Sequence, residues 1–451
     1  MKVLLLGFEY LPIKVGGLAE ALTYIAKALA SLGNETIVFT PAHGQFHGES
    51  IGKVRAFGEE VEIRVHLEKE GNLRVYRIGG GLLDSTDVYG PGWDGLLKKS
   101  VLFGKASVLL LNKLLEKEEL PDVVHFHDWH TVFAGALIKK YFKIPAVFTI
   151  HRLNKAKVPA YYFHEANLSE LAPYPDLDPE HTGGYVADMV TTVSRGYLLD
   201  EWGFFRNFEG KVTYVFNGID CSFWSEDFLD GDRETRKERL LKKFGLEKGT
   251  TFMFIGRFDR GQKGVDVLLR AIEILSQIYK DFSSLRFIIV GKGDPELENW
   301  ARSLATSYKN VVVITQMLSR EFVRELYGSV DFVVIPSYFE PFGLVQLEAM
   351  CLGAIPIASS VGGLRDTIIS LDKSPHNATG LLVPPGDPWT LANAMIKMAE
   401  LNKTNKELIE ELRENCKKRA REFSWKKAAE RYIKVYRGNV ERFFDFISTG
   451  V

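Results

Sequence analysis

The chain has 451 residues, which is too long for one ordinary hydrophobic core and predicts two or three domains. Its composition, 46% hydrophobic and 25% charged residues, is typical of a globular protein and excludes wholesale disorder. The formal net charge of −1 gives no reason to expect a nucleic-acid partner, and no apolar run is long enough to span a membrane.

Three cysteines, Cys221, Cys351 and Cys416, show neither a disulfide framework nor the spacing of metal ligands, which fits a reducing compartment. The apolar run at residues 3–6 is too short for the hydrophobic part of a signal peptide. We therefore expect a cytoplasmic protein without a membrane partner.

The first forty residues predict a strand, a helix and a second strand. Val3–Leu6 is a short apolar run, and apolar residues with helical spacing follow from Leu18 to Leu32. Thr36–Thr40 is the next apolar run. This order is typical of a βαβ unit, so the first sheet is predicted to be parallel. No G-x-G-x-x-G fingerprint occupies the first turn, which argues against a nicotinamide dehydrogenase.

Residues 52–80 follow a different pattern, because apolar and polar residues alternate from Val61 to Leu67 before a turn leads into Leu73–Ile78. This pattern predicts an antiparallel ribbon inserted into an α/β frame. The segment from Ala156 to His181 is rich in Pro, Tyr and His and predicts a long functional loop. The other strands of this half are predicted at Val123–Phe126, Ala146–Ile150, Met189–Val193 and Val212–Phe216.

A second α/β pattern begins after Asn217-Gly218. It starts with a charged helix at Arg233–Lys243, and the chain ends in a long amphipathic stretch from Ser424 to Phe446. Two consecutive α/β units of about 200 residues each fit the length of the chain. Strands are predicted at Phe252–Ile255, Phe287–Val290, Val311–Ile314, Phe332–Ile335, Ile355–Ala358 and Leu381–Val383.

Two loops that follow predicted strands carry cations and glycines. Lys14 and the adjacent Gly16 and Gly17 lie in the first strand-to-helix loop, where backbone N–H groups could approach a phosphate. Arg257 and Lys263 follow the strand Phe252–Ile255 and offer a planar fork and a point charge to phosphate oxygens. The alternatives are a helix-entry turn and a solvated charged loop, and the residues alone leave both open.

A histidine-rich segment covers residues 125–130. Strand alternation places His125 and His127 on one face of a strand end, and Asp128 follows in the loop. No further residue completes a metal site, so we favour a hydrogen-bonding cluster that is either structural or in contact with substrate. His151 ends the next strand, where sites of α/β proteins gather, or is a satisfied polar residue.

Two carboxylates bracket a strand-to-helix turn near the end of the second unit. Glu340 follows the strand Phe332–Ile335, a helix is predicted to begin near Gly343, and Glu348 lies within that helix. A carboxylate beside a helix start that can bind anions suggests a site for a sugar phosphate. Two Asp-x-Asp pairs, at 176–178 and 230–232, follow no clear strand and are predicted to be ordinary loop carboxylates.

Taken in chain order, these segments resemble the starch/glycogen synthase family of retaining glycosyltransferases with the GT-B fold. The Lys-x-Gly-Gly-Leu and His-Asp-Trp-His segments narrow the resemblance to glucan synthases, whereas the other segments are shared by many retaining GT-B enzymes. The matching segments are Lys14-Val15-Gly16-Gly17-Leu18, His127-Asp128-Trp129-His130, Thr149-Ile150-His151, Asn217-Gly218-Ile219-Asp220, Arg257 with Lys263-Gly264, and Pro336 to Leu344 with Glu348.

The resemblance implies an α/β fold of two Rossmann-like domains that face a deep cleft, with the C-terminal helix crossing back to the first. The implied domains are residues 1–217, joined by a terminal helix at 430–451, and residues 218–429. Hinges are expected near Phe216–Ile219 and at about residues 425–435.

The resemblance also implies roles for particular residues. Arg257 and Lys263 would neutralise the donor diphosphate, Glu340 would orient glucose hydroxyls, and Glu348 would bind the ribose. His151 would lie near the anomeric carbon. Other implied site residues are Asp128 and Glu20 on the sugar or acceptor side, and Lys14, Gly16, Gly17, Asn217, Gly343 and Leu344 on the donor. No metal or other cofactor is implied.

The implied activity is that of a glycogen synthase, which transfers glucose from ADP- or UDP-glucose to the non-reducing end of an α-1,4-glucan with retention of configuration. The sequence leaves the donor base and the oligomeric state open. Three alternatives share parts of the pattern: a retaining GT-B transferase with a small-molecule or lipid acceptor, a nucleotide-sugar epimerase, and a non-catalytic glucan-binding protein. Tyr161, Tyr162 and Phe163 are predicted either to line an acceptor groove or to pack at the surface.

Overall fold

The computed structural model describes residues 1–116, 120–171 and 176–438. The chain divides into two compact units. The first unit comprises Met1–Val193, Glu201–Gly218 and the chain from Trp425 onward, and the second comprises Ser194–Asp200 and Ile219–Ser424.

The described residues form seventeen strands. They are β1 (Lys2–Leu6), β2 (Glu35–Pro41), β3 (Glu49–Ala56), β4 (Glu59–Glu70), β5 (Leu73–Gly79), β6 (Val123–His127), β7 (Ala146–Ile150), β8 (Val158–Pro159), β9 (Asp176–Leu177), β10 (Met189–Thr192), β11 (Val212–Tyr214), β12 (Thr250–Ile255), β13 (Leu285–Val290), β14 (Val311–Ile314), β15 (Phe332–Ile335), β16 (Ile355–Ser359) and β17 (Leu381–Val383).

The described residues also form sixteen α-helices, many of which lie between consecutive strands. They are α1 (Gly17–Ser31), α2 (Gly92–Leu115), α3 (Val132–Phe142), α4 (Ala160–Glu165), α5 (Pro179–Val186), α6 (Arg195–Asp200), α7 (Trp202–Phe205), α8 (Arg233–Lys243), α9 (Val265–Ile278), α10 (Pro295–Ser307), α11 (Arg320–Ser329), α12 (Val345–Cys351), α13 (Gly362–Thr367), α14 (Pro388–Thr404), α15 (Lys406–Arg421) and α16 (Trp425–Tyr436).

Nine strands of the first unit form one sheet in the order β11-β10-β7-β6-β1-β2-β5-β4-β3. α1 connects β1 to β2 in the sequence, and these two strands pair in parallel, which confirms the predicted βαβ unit. β4 pairs antiparallel with both β3 and β5, which confirms the predicted ribbon. Because β5 also pairs in parallel with β2, the ribbon extends the main sheet rather than forming a separate one.

The apolar stripe of α1 is buried as its spacing predicts. Leu22, Ile25 and Leu29 are fully buried in one cluster with residues of β1 and β2, and Tyr432 of α16 belongs to the same cluster. Burial of each such side chain contributes about 1.5–3 kcal/mol to stability. The predicted amphipathic stretch continues to Phe446, but residues 439–451 lie outside the described residues.

The sheet of the second unit has six parallel strands in the order β14-β13-β12-β15-β16-β17. Each strand predicted in this half is present, and their near-continuous apolar sequences fit a sheet that is covered on both faces. β12 and β15 are neighbours, so the loops at their carboxyl ends lie at the same edge of the sheet. This adjacency brings two of the predicted motifs together.

The prediction of a loop over residues 156–181 is wrong. The segment forms β8, α4 and the start of α5, while residues 172–175 lie outside the described residues. α4 is held by burial, because the ring of Phe163 packs 5.1 Å from that of Phe133. Asp178 caps α5 by accepting the backbone N–H of Glu180 at 2.8 Å. Short helices of this kind lack the repeats that reveal longer ones.

The expectation that the cysteines form no disulfide is also wrong. Cys221 and Cys351 are joined, with Cα atoms 5.8 Å apart, although 130 positions separate them in the sequence. Cys351 is predicted to be a packing residue in a helix, and it is the buried last residue of α12. Cys416 is free and buried, and its thiol donates to the carbonyl of Thr379 at 2.9 Å.

Within residues 1–116, 120–171 and 176–438, no helix combines the length and the apolar character needed to cross a bilayer.

Candidate functional site

Lys263 and Glu340 meet at the carboxyl edge of the second sheet. Lys263 follows β12 and Glu340 follows β15, and because these strands are adjacent the Lys263 ammonium lies 2.8 Å from the Glu340 carboxylate. Ser337 donates to the same carboxylate oxygen at 3.3 Å. The side chain of Glu340 is 8% exposed and that of Lys263 is 23% exposed, so the pair is partly shielded from water. The resemblance assigns Lys263 to the donor diphosphate and Glu340 to the glucose hydroxyls, and in the structure the two side chains form an ion pair.

The loop that carries Lys263 is held by its own residues. The Asp259 carboxylate accepts the backbone N–H groups of Gln262 and Lys263 at 2.7 and 2.9 Å. Gly264 then adopts a positive φ of 66°, and a Cβ there would lie 1.9 Å from the carbonyl oxygen of Pro336. Only glycine allows this approach, so the Lys263 loop can sit directly against the Glu340 loop.

Arg257 has partners other than this pair. Its guanidinium donates to the side-chain oxygen of Gln262 at 3.0 Å, and the side chain is 64% exposed. It therefore offers most of its donors to solvent. The structure places Arg257 in the same loop as Lys263, as predicted, but not in contact with it.

The turn between Glu340 and α12 is fixed by a helix that sequence reasoning did not connect to it. The backbone N–H of Gly363, in α13, donates to the carbonyl of Glu340 at 3.0 Å, and a Cβ on Gly362 would lie 1.8 Å from that carbonyl oxygen. Ser194 donates to the carbonyl of Pro341. The adjacent glycines at 362–363 are the one sequence signal that could have indicated this close packing.

Gly343 and Leu344 form the turn that leads into α12. Gly343 has a φ of 81°, a conformation that favours glycine. The amide nitrogen of Gln346 donates to the carbonyls of Phe342 and Gly343 at 2.9 and 2.8 Å and thereby locks the turn. Its amide oxygen is buried and has no partner among the described residues. A small cavity of about 30 Å³ is lined by Lys263, Glu340, Gly343, Leu344 and Gln346 among others.

Glu348 lies one helical turn into α12 and has a different partner from Glu340. The hydroxyl of Tyr327 donates to Glu348 at 3.2 Å. Tyr327 is fully buried, and this burial together with the Glu348 charge raises the pKa of its hydroxyl well above its usual value. The two carboxylates thus occupy separate environments. The sequence indicated Glu348 but not the tyrosine that holds it.

A histidine cluster lies at the carboxyl edge of the first sheet. His127 ends β6 and His151 follows β7, and their ring nitrogens Nδ1 and Nε2 are 2.9 Å apart. His125 shares a face of β6 with His127, as predicted, and binds Thr149 at 2.6 Å. Burial lowers the pKa of His151 to about 4 and those of His125 and His127 well below their usual value. All three imidazoles are therefore neutral near pH 7.

Asp128 connects this cluster to the loop after β7. One of its carboxylate oxygens accepts the backbone N–H of His151 at 2.7 Å. Burial raises the pKa of Asp128 to about 7, the His151 hydrogen bond lowers it, and the charge of Glu180 raises it further. Asp128 also has a positive φ of 59°, which is rare for a residue with a side chain and marks a constrained position.

The first strand-to-helix loop brings Lys14 and Glu20 together at 2.7 Å. Glu9 accepts the backbone N–H groups of Val15 and Gly16 at 2.6 and 2.9 Å. No atom lies within 4 Å of the position a Cβ would take on Gly17, so a ligand can approach that backbone. Sequence reasoning missed Glu9, which is 1% exposed and shapes the loop.

Asn217 is a further predicted site residue in the first unit. It follows β11, and its buried side-chain oxygen has no hydrogen-bond partner in the described part of the chain. Of the two Asp-x-Asp pairs, the second aspartates, Asp178 and Asp232, cap α5 and α8. Among the described residues, no group of three or more His, Cys, Asp and Glu could hold a metal ion.

Of the three aromatic residues proposed for an acceptor groove, Tyr161 alone faces solvent, with 53% exposure. Tyr162 and Phe163 are buried. A separate cavity of about 940 Å³ in the first unit is lined by Phe57, Tyr141 and other residues of β3, α2, α3 and the α4 region. This cavity is much larger than the one beside Glu340, but none of the predicted site residues lines it.

Comparison with known proteins covers both units. Residues 2–206 match the family model for the starch synthase catalytic domain, and residues 236–423 match the model for glycosyl transferases group 1. A glycogen synthase of Opitutus terrae is 29% identical over 97% of this chain and 99% of its own length.

Solved structures share the fold. The catalytic domain of starch synthase IV from Arabidopsis thaliana, bound to ADP and acarbose, superposes with a TM-score of 0.80 at 21% identity, covering 97% of this chain and 99% of that one. Sucrose-phosphate synthase from Thermosynechococcus elongatus has a TM-score of 0.66 at 24% identity, with 97% and 98% coverage.

The two α/β units and the motifs at their strand ends define a glycosyltransferase with the GT-B fold. The first unit matches the starch synthase model, and relatives that match over both units include glycogen synthases. The chain is thus similar to the starch/glycogen synthase family along nearly its whole length.

Proposed function

We propose that this enzyme extends an α-1,4-glucan by transferring glucose from a nucleoside diphosphate glucose to the non-reducing end, with retention of configuration and without a metal cofactor. The observation that carries the proposal is the Lys263–Glu340 pair beside the Gly343 turn. A cation, a carboxylate and a constrained backbone turn at one sheet edge suit a sugar diphosphate.

Each part of the donor has a matching group in the second unit. Lys263 and Arg257 neutralise the diphosphate, and the backbone N–H groups of Gly343 and Leu344 support it. Glu340 accepts glucose hydroxyls. When a diphosphate binds, the Lys263 ammonium can serve the phosphate and the carboxylate together, because an ammonium has three donors.

The far end of the donor is assigned to Glu348, which accepts the ribose hydroxyls while Tyr327 holds it from behind. The base is not distinguished by these contacts. ADP-glucose is the first donor to test, because a starch synthase of the same fold is bound to ADP. UDP-glucose is the second.

The other predicted site residues belong to the first unit. We assign His151 to the neighbourhood of the anomeric carbon, Asp128 and Glu20 to the sugar or acceptor side, and Lys14, Gly16 and Gly17 to the donor. Because burial keeps His151 neutral, it acts as a hydrogen-bonding group rather than as a cation. Asn217 keeps a donor-binding assignment as a prediction, and its unpartnered oxygen is available for a hydrogen bond.

The transfer proceeds by substitution on one face of the sugar. The bond from the anomeric carbon to the phosphate oxygen breaks, the acceptor oxygen bonds to the same face, and the acceptor proton passes to the departing phosphate. Fixed charges stabilise the leaving group, and orientation lowers the barrier. Glu340 and Glu348 are held by Lys263 and Tyr327, so neither is assigned as a nucleophile. A covalent glucosyl group trapped on any carboxylate would contradict this mechanism.

A three-way assay separates this function from the alternatives. Labelled ADP- and UDP-glucose are each incubated with glycogen, with small sugar-phosphate acceptors, and without acceptor. We expect label in glycogen alone. Label in a small product would indicate another GT-B transferase, and isomerised donor without acceptor would indicate an epimerase. Glycogen binding without turnover would indicate a non-catalytic glucan-binding protein. A cytoplasmic location stays a prediction, which cell fractionation would test.

A further inference from the structure

Glu180 is a buried carboxylate that the roles assigned above leave unexplained. It lies in the first turn of α5 and is 1% exposed. One carboxylate oxygen accepts the backbone N–H of Asn154 at 2.7 Å, and the other accepts that of Lys155 at 2.8 Å. Both oxygens are therefore used to hold the loop at residues 151–155.

That loop is held at its two ends by two different carboxylates. Asp128 accepts the N–H of His151 at its start, and Glu180 accepts the N–H groups of Asn154 and Lys155 at its end. Lys155 adopts a φ of 52°, which costs energy for a residue with a side chain and needs support from its surroundings. The loop conformation thus depends on both carboxylates.

We propose that Glu180 is a positioning residue for glucosyl transfer, which holds the loop at residues 151–155 so that His151 is presented to the reacting sugar. This inference rests on the function proposed above, because it takes the location of His151 from that function. Glu180 does not touch the substrate. It acts through the backbone of the loop and, through its charge, on Asp128.

The two hydrogen bonds from the loop to Glu180 explain why this residue is a carboxylate. A glutamine could accept one N–H with its amide oxygen, but its amide NH₂ would face the second N–H donor. The position in the first turn of α5 favours a negative charge. A carboxylate is therefore the side chain that satisfies both N–H groups at this place.

Charged groups around Glu180 and Asp128 couple the two carboxylates to each other. Glu180 faces Asp128, Asp178 and His181, and burial raises the pKa of Glu180 to about 7. Asp128 faces both Glu180 and Glu9, and each of these charges raises the pKa of Asp128. Removal of the Glu180 charge therefore lowers the pKa of Asp128.

The rival explanation is that Glu180 only stabilises α5. Asp178 provides a matched control, because it caps the same helix through the N–H groups of Glu180 and His181, whereas the N–H groups of Asn154 and Lys155 are bound by Glu180. Asp178→Ala removes the cap and leaves the loop anchor in place. A purely structural role predicts similar behaviour for the two variants.

The test compares Glu180→Gln with Asp178→Ala in the full-length enzyme, using glycogen and the preferred nucleoside diphosphate glucose. For Glu180→Gln we expect kcat to fall by about 10- to 100-fold with less than about a twofold change in the donor KM, because a displaced catalytic group costs rate rather than affinity. We also expect the acidic limb of the kcat profile to move to lower pH. Asp178→Ala should keep kcat within about twofold.

Hydrogen exchange provides a readout that does not need activity. The amides of residues 154 and 155 should exchange faster in Glu180→Gln than in the wild type and in Asp178→Ala. The inference is overturned if Glu180→Gln keeps the wild-type kcat and pH profile, or if both variants lose kcat equally. If the wild-type enzyme transfers no glucose to glycogen, the proposed function fails, whereas unchanged exchange of these two amides refutes the loop anchor itself.

Discussion

Replacing Cys221 and Cys351 by serine removes the bond that closes a long loop in the second unit. The two cysteines are 130 positions apart in the sequence, and Cys351 is the last residue of the helix that carries Glu348. A cross-link of this kind reduces the conformational entropy of the unfolded chain. We therefore expect the double serine variant to be markedly less stable than the wild type.

The size of the effect follows from the length of the closed loop. Chain-entropy arguments give about 5 kcal/mol for a loop of this length at 25 °C, with the measured range for disulfides extending down from that value. The free energy of unfolding falls by about 2–3 kcal/mol per molar urea, so a loss of the full 5 kcal/mol would lower the urea midpoint by about 2 M. A loss of this size is a large part of the stability of an ordinary domain.

Urea unfolding followed by tryptophan fluorescence measures this loss, with and without a dithiol reductant. Reductant should lower the midpoint of the wild type and leave that of the double variant unchanged. Thiol titration of the unfolded chain should give one free thiol before reduction, from Cys416, and three afterwards. Three free thiols without reductant, or equal midpoints for wild type and variant, would refute the reasoning.

Three further predictions concern the site. Tyr327→Phe removes the hydroxyl that donates to Glu348. Because one hydrogen bond is worth about 1 kcal/mol, we expect the donor KM to rise about 2- to 10-fold while kcat is retained. An unchanged donor KM would contradict the role of this contact. The ionised forms of Asp128 and Glu180 hold the loop, and the pKa of each is raised to about 7. We therefore expect kcat to fall at least about tenfold per pH unit below about pH 7, and a flat profile would exclude this dependence. Tyr161→Ala removes an exposed aromatic face and should raise the KM for glycogen a few-fold. Tyr185, which is 65% exposed, provides the control, and Tyr185→Ala should leave the KM for glycogen unchanged. Equal effects of the two variants would indicate that Tyr161 only packs at the surface.

Patterns that repeat along the chain predicted most of the fold. The helical spacing from Leu18 to Leu32 and the apolar runs of the strands are local signals, and burial of the corresponding residues confirms them. Lys263 and Glu340 could be placed at one edge because each follows a strand, and parallel sheets gather such ends. Their direct ion pair needed the strand order, which the sequence alone does not contain.

The residues that sequence reasoning missed are those whose partners are distant in the chain. Ser194 binds the carbonyl of Pro341, and Glu180 binds the loop at residues 151–155, through contacts that leave no periodic signal. The disulfide between Cys221 and Cys351 was not predicted for the same reason, because 130 positions separate the two residues. The helix α4 was missed because its six residues are stabilised by packing of Phe163 rather than by a helical repeat.

We propose that the Lys263–Glu340 pair serves glucose transfer from a nucleoside diphosphate to a glucan. Its most direct test is incorporation of labelled glucose into glycogen by the wild type, Glu340→Ala and Lys263→Ala, from ADP-glucose and from UDP-glucose. Arg260→Ala is the matched control, because Arg260 lies in the same loop but pairs with Asp294 at 2.8 Å.

The wild type should incorporate glucose from at least one donor. Each of the two site variants should lose about 100-fold or more, because each removes a charged group that acts on the donor. Arg260→Ala should stay within about twofold. Incorporation by Glu340→Ala and Lys263→Ala at the wild-type rate, or no incorporation by the wild type from either donor, would contradict the account.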